Sequence, residues 1–132
     1  MSPESRLRTL IESDNFMKNF KIEILSEKNG EVKLKIILED RFMRMGDVVN
    51  GGIIAGLFDI SGALSVFTIP DVFNAFTLSL NVTFLTPLTG DYCIITSRVN
   101  REGGRHAFIE MSIDDQSDNT VATAHGIWAI SR

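Results

Sequence analysis

Asp59 is the residue that most needs a chemical explanation. It sits in the run Ile53-Ile54-Ala55-Gly56-Leu57-Phe58-Asp59-Ile60 and is the only charged residue between Val48 and Pro70. A carboxylate in so apolar a stretch is costly to bury unless it is paired or neutralised. Proteins keep such groups mostly where an altered basicity is used, although structural networks bury them too. On the residues alone two readings stay open: a catalytic base, or a carboxylate satisfied by backbone amides or a wet interface. Just upstream, Asn50-Gly51-Gly52 stands where a helix would begin. Helix N-termini present unpaired N–H groups and partial positive charge, and glycines let a ligand oxygen approach them closely. That is the geometry of an oxyanion hole, and equally of an ordinary asparagine cap followed by flexible glycines.

The spacing between these two features is informative. Gly51 and Asp59 are eight positions apart, roughly 10–12 Å along a helix axis. An amide at one and a carboxylate at the other can address a single substrate carbonyl in only two ways. Either the substrate lies along the helix, or a second subunit supplies one of the groups.

Other residue types suggest less. Arg101 and Arg105 flank Gly103-Gly104 and could grip phosphates, since a guanidinium suits that anion, or could simply be solvated charge. His106 and His125 fall on separate strands with no third ligand at metal spacing, so structural roles are expected. Cys93 alternates with Asp91 and Ile95 and reads as a packed thiol. Asp114, Asp115 and Asp118 lack the glycine and terminal glutamate of a calcium loop. Phe42, Met43 and Met45 could line an apolar tunnel or merely cover the helix end. Trp128, Phe58 and Phe67 read most simply as core.

The elements that position these residues follow from pattern. Pro3 and Glu4 suit the first turn of a short helix capped by Ser2. Leu7, Leu10 and Ile11 give it one apolar face, and it should stop near Asp14-Asn15. Lys21–Leu25 and Val32–Ile36 alternate apolar with charged, with the hairpin signal Asn29-Gly30 between them. Phe42 to Val49 reads as an irregular connection. Gly52 to about Phe67 is the apolar helix, ended by Pro70. Phe76, Leu78, Leu80, Val82 and Phe84 alternate with Thr77, Ser79, Asn81 and Thr83, a half-buried strand with a polar second face. Strands over Tyr92–Asn100, His106–Ile113 and Val121–Ile130 follow, with turns at Gly103-Gly104 and Ser117-Asp118-Asn119. A helix apolar nearly all round is expected to be buried on every side. A curved antiparallel sheet wrapped around it achieves that, an α+β architecture. Open sheets leave edges that pair with a second copy, so a homodimer is expected.

Composition excludes several classes. A chain of 132 residues with 44% hydrophobic and 23% charged residues is an ordinary globular composition and fits one domain over 1–132. A net charge of −4 argues against a general nucleic-acid binder, which needs a basic surface. The single cysteine cannot form an internal disulfide, and the first residues carry no apolar signal segment, so the cytoplasm is the expected compartment. Val48 to Pro70 is long enough to span a bilayer, but its Asn, Gly, Ser and Asp residues point to a core helix instead of a membrane span.

Taken together, Val49-Asn50-Gly51-Gly52, Asp59, Gly62-Ala63 and Thr77-Leu78-Ser79-Leu80-Asn81-Val82-Thr83-Phe84-Leu85-Thr86-Pro87 resemble the hotdog-fold acyl-CoA thioesterases of the phenylacetate-degradation (PaaI) type. The resemblance runs from Phe42 to Ile130. It implies a sheet wrapped around the central helix, a dimer or dimer of dimers, and hydrolysis of acyl-CoA thioesters without a metal or prosthetic group, CoA being part of the substrate. By the same resemblance, the Gly51 amide polarises the thioester carbonyl, Asp59 acts as base or nucleophile, and Thr77 helps place water. Gly52, Arg101, Arg105, Phe42 and Met45, from their own chemistry and position, are the substrate-binding candidates. Two positions depart from the family pattern. Asn50 stands where histidine is usual, and Met43-Arg44-Met45-Gly46 offers no assisting amide side chain. Asparagine can donate a hydrogen bond but cannot shuttle a proton, so a non-catalytic acyl-CoA binding protein is the alternative reading. A hotdog dehydratase would want a histidine near the helix start, where neither His106 nor His125 lies.

Overall fold

The computed structural model describes residues 3–132, with side chains from Arg6 onward. Ser2 and the Glu4 side chain, expected at the first helix start, lie outside the described residues. Helix α1 spans Pro3–Ser13 and is followed by a 3₁₀ turn at Met17–Asn19. Strands β1 (Ile22–Lys28) and β2 (Glu31–Ile37) form the expected hairpin, with Gly30 at φ +85 in its turn. That conformation suits glycine, which has no Cβ to clash. Its N–H donates to Thr68 Oγ1 at 2.7 Å, which ties the hairpin to the end of the central helix.

The stretch expected to be irregular holds a 3₁₀ turn at Asp40–Phe42 and a minimal ribbon of β3 (Met43–Arg44) and β4 (Val48–Val49). Helix α2 covers Gly51–Phe67, and β5 (Asn74–Phe84), β6 (Tyr92–Glu102), β7 (His106–Asp115) and β8 (Thr120–Ser131) complete the chain. Six strands form one sheet in the order β1-β2-β6-β7-β8-β5, with every neighbouring pair antiparallel. It wraps α2, which packs on β2, β5, β6, β7 and β8, the arrangement the sequence resemblance implied.

The wrap is not complete. Leu57, Phe58, Ile60, Leu64 and Val66 of α2 are buried, but Gly56, Asp59, Ala63 and Phe67 are only half-buried and Gly52 is exposed. These five recur at helical spacing and form one stripe. The expectation of burial on every side therefore fails along this line. The sheet covers the helix from one side, and α1 with its 3₁₀ turn covers only part of the other. Leu7, Ile11 and Met17 join the core from that cover. No helix among the described residues is long and apolar enough to cross a membrane.

Candidate active site

Asp59 lies on the open stripe of α2, and its Oδ1 accepts a hydrogen bond from the Thr77 hydroxyl on β5. A break in the strand makes this possible. Thr77 pairs across to Trp128, but Ser79 pairs to Ile127, so Leu78 is an extra residue in a β-bulge. Cross-strand partners share a face. Thr77 therefore shares the inner face with fully buried Trp128, and beyond the bulge Leu80, Val82 and Phe84 take that face opposite Gly126, Ala124 and Ala122.

The expected unbroken alternation, with Phe76 and Leu78 on the buried face, is thereby corrected. Phe76 is 62% exposed and Leu78 51% exposed. Thr77, assigned from the pattern to the polar outer face, is the residue that reaches the helix.

Asp59 and Thr77 open on a cleft of about 460 Å³. Its walls include Leu10, Phe16 and Met17 from the N-terminal segment, Phe67 from α2, Phe76 from β5 and Trp128 from β8. Asp14 holds Phe16 and Met17 in place, its Oδ2 accepting their N–H groups at 3.0 and 2.9 Å. Phe16 lies across the helix at Gly56, where a Cβ would come within 3.0 Å of its ring. Sequence reasoning missed Phe16 as a wall; Trp128 is in the core as expected, and Phe67, half-buried, packs against that core while bordering the cleft. The available signal was the small residue facing each ring: Gly56 for Phe16, and Gly62 and Gly126 for Trp128.

The helix start forms a second site. Asn50 is the N-cap: its Oδ1 accepts the Gly52 N–H at 2.7 Å, and its own N–H donates to the Phe42 carbonyl at 2.9 Å. A Cβ on Gly52 would stand 2.9 Å from that Oδ1, so a larger residue there would make the capping side chain shift. The cap takes the Gly52 amide, and Gly51 carries the glycine amide it leaves. Gly51 borders a different cleft, of about 370 Å³, walled by Val49, Ile54, Phe84, Leu85 and Pro87. One chain thus does not bring Gly51 and Asp59 together. They lie eight residues apart on one continuous helix, ~12 Å along its axis.

The remaining candidates are spread out. Arg101 and Arg105 are exposed and line a cleft of about 520 Å³ with Gly103, Gly104, His106 and Phe108. His106 pairs with Ala129, which pairs with Phe76. The arginine hairpin therefore sits two strand spacings from the Asp59 cleft, roughly 10 Å. Phe42 is buried, stacked on Phe20 with ring centroids 4.9 Å apart, and so covers the helix end. Met45 is 90% exposed, beside the positive-φ residues Gly46 and Asp47 of the β3–β4 turn. His106 and His125 are both exposed, on β7 and β8. Burial pushes the Cys93 thiol up to about 12, which leaves it protonated and unreactive at neutral pH.

Comparison with known proteins agrees with this fold. A sequence profile described as Thioesterase superfamily matches residues 46–122. A Thermoplasma volcanium protein provisionally named an esterase is 29% identical over 128 residues, which covers 97% of this chain and 96% of its own. Among solved structures, the Escherichia coli PaaI protein from the phenylacetic acid degradation operon superposes with a TM-score of 0.88 at 20% identity. That match covers 98% of this chain and 94% of the other. A hypothetical thioesterase of Streptococcus pneumoniae, solved with coenzyme A, gives a TM-score of 0.79 at 18% identity over 84% of this chain and 86% of its own. At such identities these structures show likeness of fold.

Proposed function

The chain belongs to the thioesterase superfamily, and from that premise we propose that it hydrolyses an acyl-CoA thioester to the free acid and CoA. The reading rests above all on the Thr77–Asp59 hydrogen bond at the edge of an apolar-walled cleft. Thr77 holds one carboxylate oxygen, and the other remains to act.

In the first route Asp59 takes a proton from water while the water oxygen attacks the thioester carbonyl carbon. In the second, the carboxylate attacks directly, the C–S bond breaks, and water hydrolyses the resulting anhydride. In either, negative charge grows on the carbonyl oxygen, and a preorganised donor such as the Gly51 N–H is worth about 3–4 kcal/mol there. The thiolate of CoA leaves and takes up a proton. Neither route uses a metal. Arg101 and Arg105 would hold CoA phosphates, for which their guanidinium groups are well suited. The coenzyme A held by the Streptococcus pneumoniae neighbour supports that choice of carrier.

Two chains make this site. Strand β5 is a sheet edge, and Phe76, Leu78 and Phe84 on it are exposed. An exposed apolar edge pairs readily with another strand. Pairing β5 antiparallel with its own copy about a two-fold axis between Leu80 and Asn81 sets Thr77 opposite Phe84 of the second copy. Phe84 lies against Gly51, at 3.6 Å from where its Cβ would be. One chain's amide thereby approaches the other's Asp59, in a dimer or a dimer of dimers.

A binding protein without turnover is the second reading, favoured by the use of Asn50 as a cap in place of the family's usual histidine. A spectrophotometric screen of thiol release from short, long and aromatic acyl-CoA thioesters separates the two. Turnover of at least one class is expected. Tight binding of every thioester with none released would leave the binding reading in its place.

A further inference from the structure

Trp128 is fully buried beside Asp59 and Thr77, and the far edge of its indole meets two glycines. A Cβ on Gly62 would lie 2.4 and 2.5 Å from Cη2 and Cζ2 of the indole, about 1 Å inside ordinary contact. A Cβ on Gly126 would lie 2.5 Å from Cζ3 and 2.8 Å from the Ser79 carbonyl oxygen. Gly126 therefore makes room for two things at once, the tryptophan ring and the backbone of the β5 bulge. That bulge is what turns Thr77 inward.

Position supplies the second part. Gly62 is three residues beyond Asp59, on the same helix face and ~4.5 Å further along. Trp128 is the cross-strand partner of Thr77, with Cβ atoms of such pairs ~5 Å apart. The Gly62–Trp128 contact and the Asp59–Thr77 bond are thus adjacent bridges across one helix–sheet gap. One is a close steric contact and the other a hydrogen bond. Alanine at 62 would push the helix back by about 1 Å, and a misplacement of that size can cost about 10²-fold in rate.

We infer that Gly62, Trp128 and Gly126 are positioning residues: the far edge of the indole, admitted by two glycines, sets the gap at which Thr77 meets Asp59. Its kinetic side rests on the thioesterase reading above, and its structural side does not.

The test turns on the far edge of the indole, whose atoms phenylalanine lacks. Gly62→Ala should lower kcat by at least tenfold and change KM by less than that, because the carboxylate moves away from Thr77 while the walls from the N-terminal segment and β5 remain. In a Thr77→Val background the same change should cost less than twofold, since the bond it perturbs is already gone. Trp128→Phe leaves the gap unsupported and should also slow turnover. There, adding Gly62→Ala fills the vacated space and should raise kcat above Trp128→Phe alone. A substitution that harms the tryptophan protein and helps the phenylalanine protein cannot be explained by general destabilisation. Equal losses in both backgrounds, or a double variant slower than Trp128→Phe, would overturn the inference.

If Gly62→Ala does not fold, the Trp128→Phe pair still decides it. If the wild-type protein hydrolyses no thioester, the functional reading fails, and crystals decide the structural claim. It stands if the Asp59–Thr77 bond is lost in Gly62→Ala or Trp128→Phe and regained in the double variant. It falls if that bond persists in both single variants.

Discussion

Thr77 and Phe84 stand at the two ends of one strand and serve opposite ends of one helix, Thr77 bonding Asp59 and Phe84 packing against Gly51. Pairing of β5 with its copy would merge these ends into two equivalent composite sites. Light scattering at micromolar concentration should therefore give at least twice the 14.7 kDa chain mass. Co-refolding an inactive Asp59→Asn chain with an inactive Gly51→Pro chain should restore activity, because half the dimers then carry one intact site. The expected recovery is about a quarter of wild type, given two symmetric sites per dimer. No recovery from a folded, mixed population would mean that each chain uses its own Gly51.

Asp59→Asn retains an oxygen that can accept from Thr77 but removes the basicity. Hydrolysis should fall by about 10²-fold or more, the usual range for a lost general base, while CoA binding survives. Thr77→Ser should stay within a few-fold of wild type, whereas Thr77→Val should lose about tenfold, ~1.4 kcal/mol in the barrier. Steady-state kinetics on the best thioester of the screen measures both. Unchanged turnover in Asp59→Asn would reduce the carboxylate to a structural part.

Gly51→Pro offers a clean removal of the amide donor. Proline is well tolerated at the first helical position, and Asn50, at φ −58 and ψ 135, already has the extended conformation that precedes it. The melting temperature should hold while kcat drops by about 10²–10³-fold. Asn50→Asp caps equally well and suits the positive helix end, so stability should hold or rise. Its negative charge beside the growing oxyanion should slow hydrolysis, while Asn50→His should remain active. Equal activity in the aspartate and histidine variants would remove position 50 from the polarising machinery.

Cys93 links the core to pH. Burial raises its thiol from 9.0 to about 12. Above pH ~9 the unfolded chain loses this proton and the folded chain keeps it, so stability is full below that value and is lost as pH rises towards ~12. The slope is at most about 1.4 kcal/mol per pH unit. The stability difference between wild type and Cys93→Ala, from denaturant unfolding at several pH values, should be flat below 9 and shrink above it. In native protein the thiol should resist a disulfide reagent at pH 8 and react once unfolded. Rapid reaction of the folded chain would contradict the burial.

The helix and the strands were legible because their patterns are local. The Asn50 cap, the Asn29-Gly30 turn and the alternation in β2, β6, β7 and β8 each depend on residues a few positions apart. The β5 bulge was not legible, since it appears only in the register against Trp128 and Ile127, about fifty residues downstream. Alternation placed Thr77 on the wrong face for the same reason, and only family resemblance gave it a role. The open stripe was hidden because Gly52, Gly56 and Ala63 look apolar in sequence, yet such small side chains leave the helix surface as a groove floor. Phe42 and Met45 lie near each other in sequence but part in space, one stacked in the core and the other at a turn tip.

The cleft beside Asp59 draws its walls from two remote parts of the chain. Leu10, Phe16 and Met17 come from the first turns, while Asp59, Thr77 and Trp128 come from the helix and sheet. Changes at residues 10–17 can resize the cavity without moving the carboxylate or its threonine. Part of the cavity's shape is therefore encoded apart from the carboxylate, and a lineage carrying this fold can alter that part while keeping Asp59 and Thr77 in place.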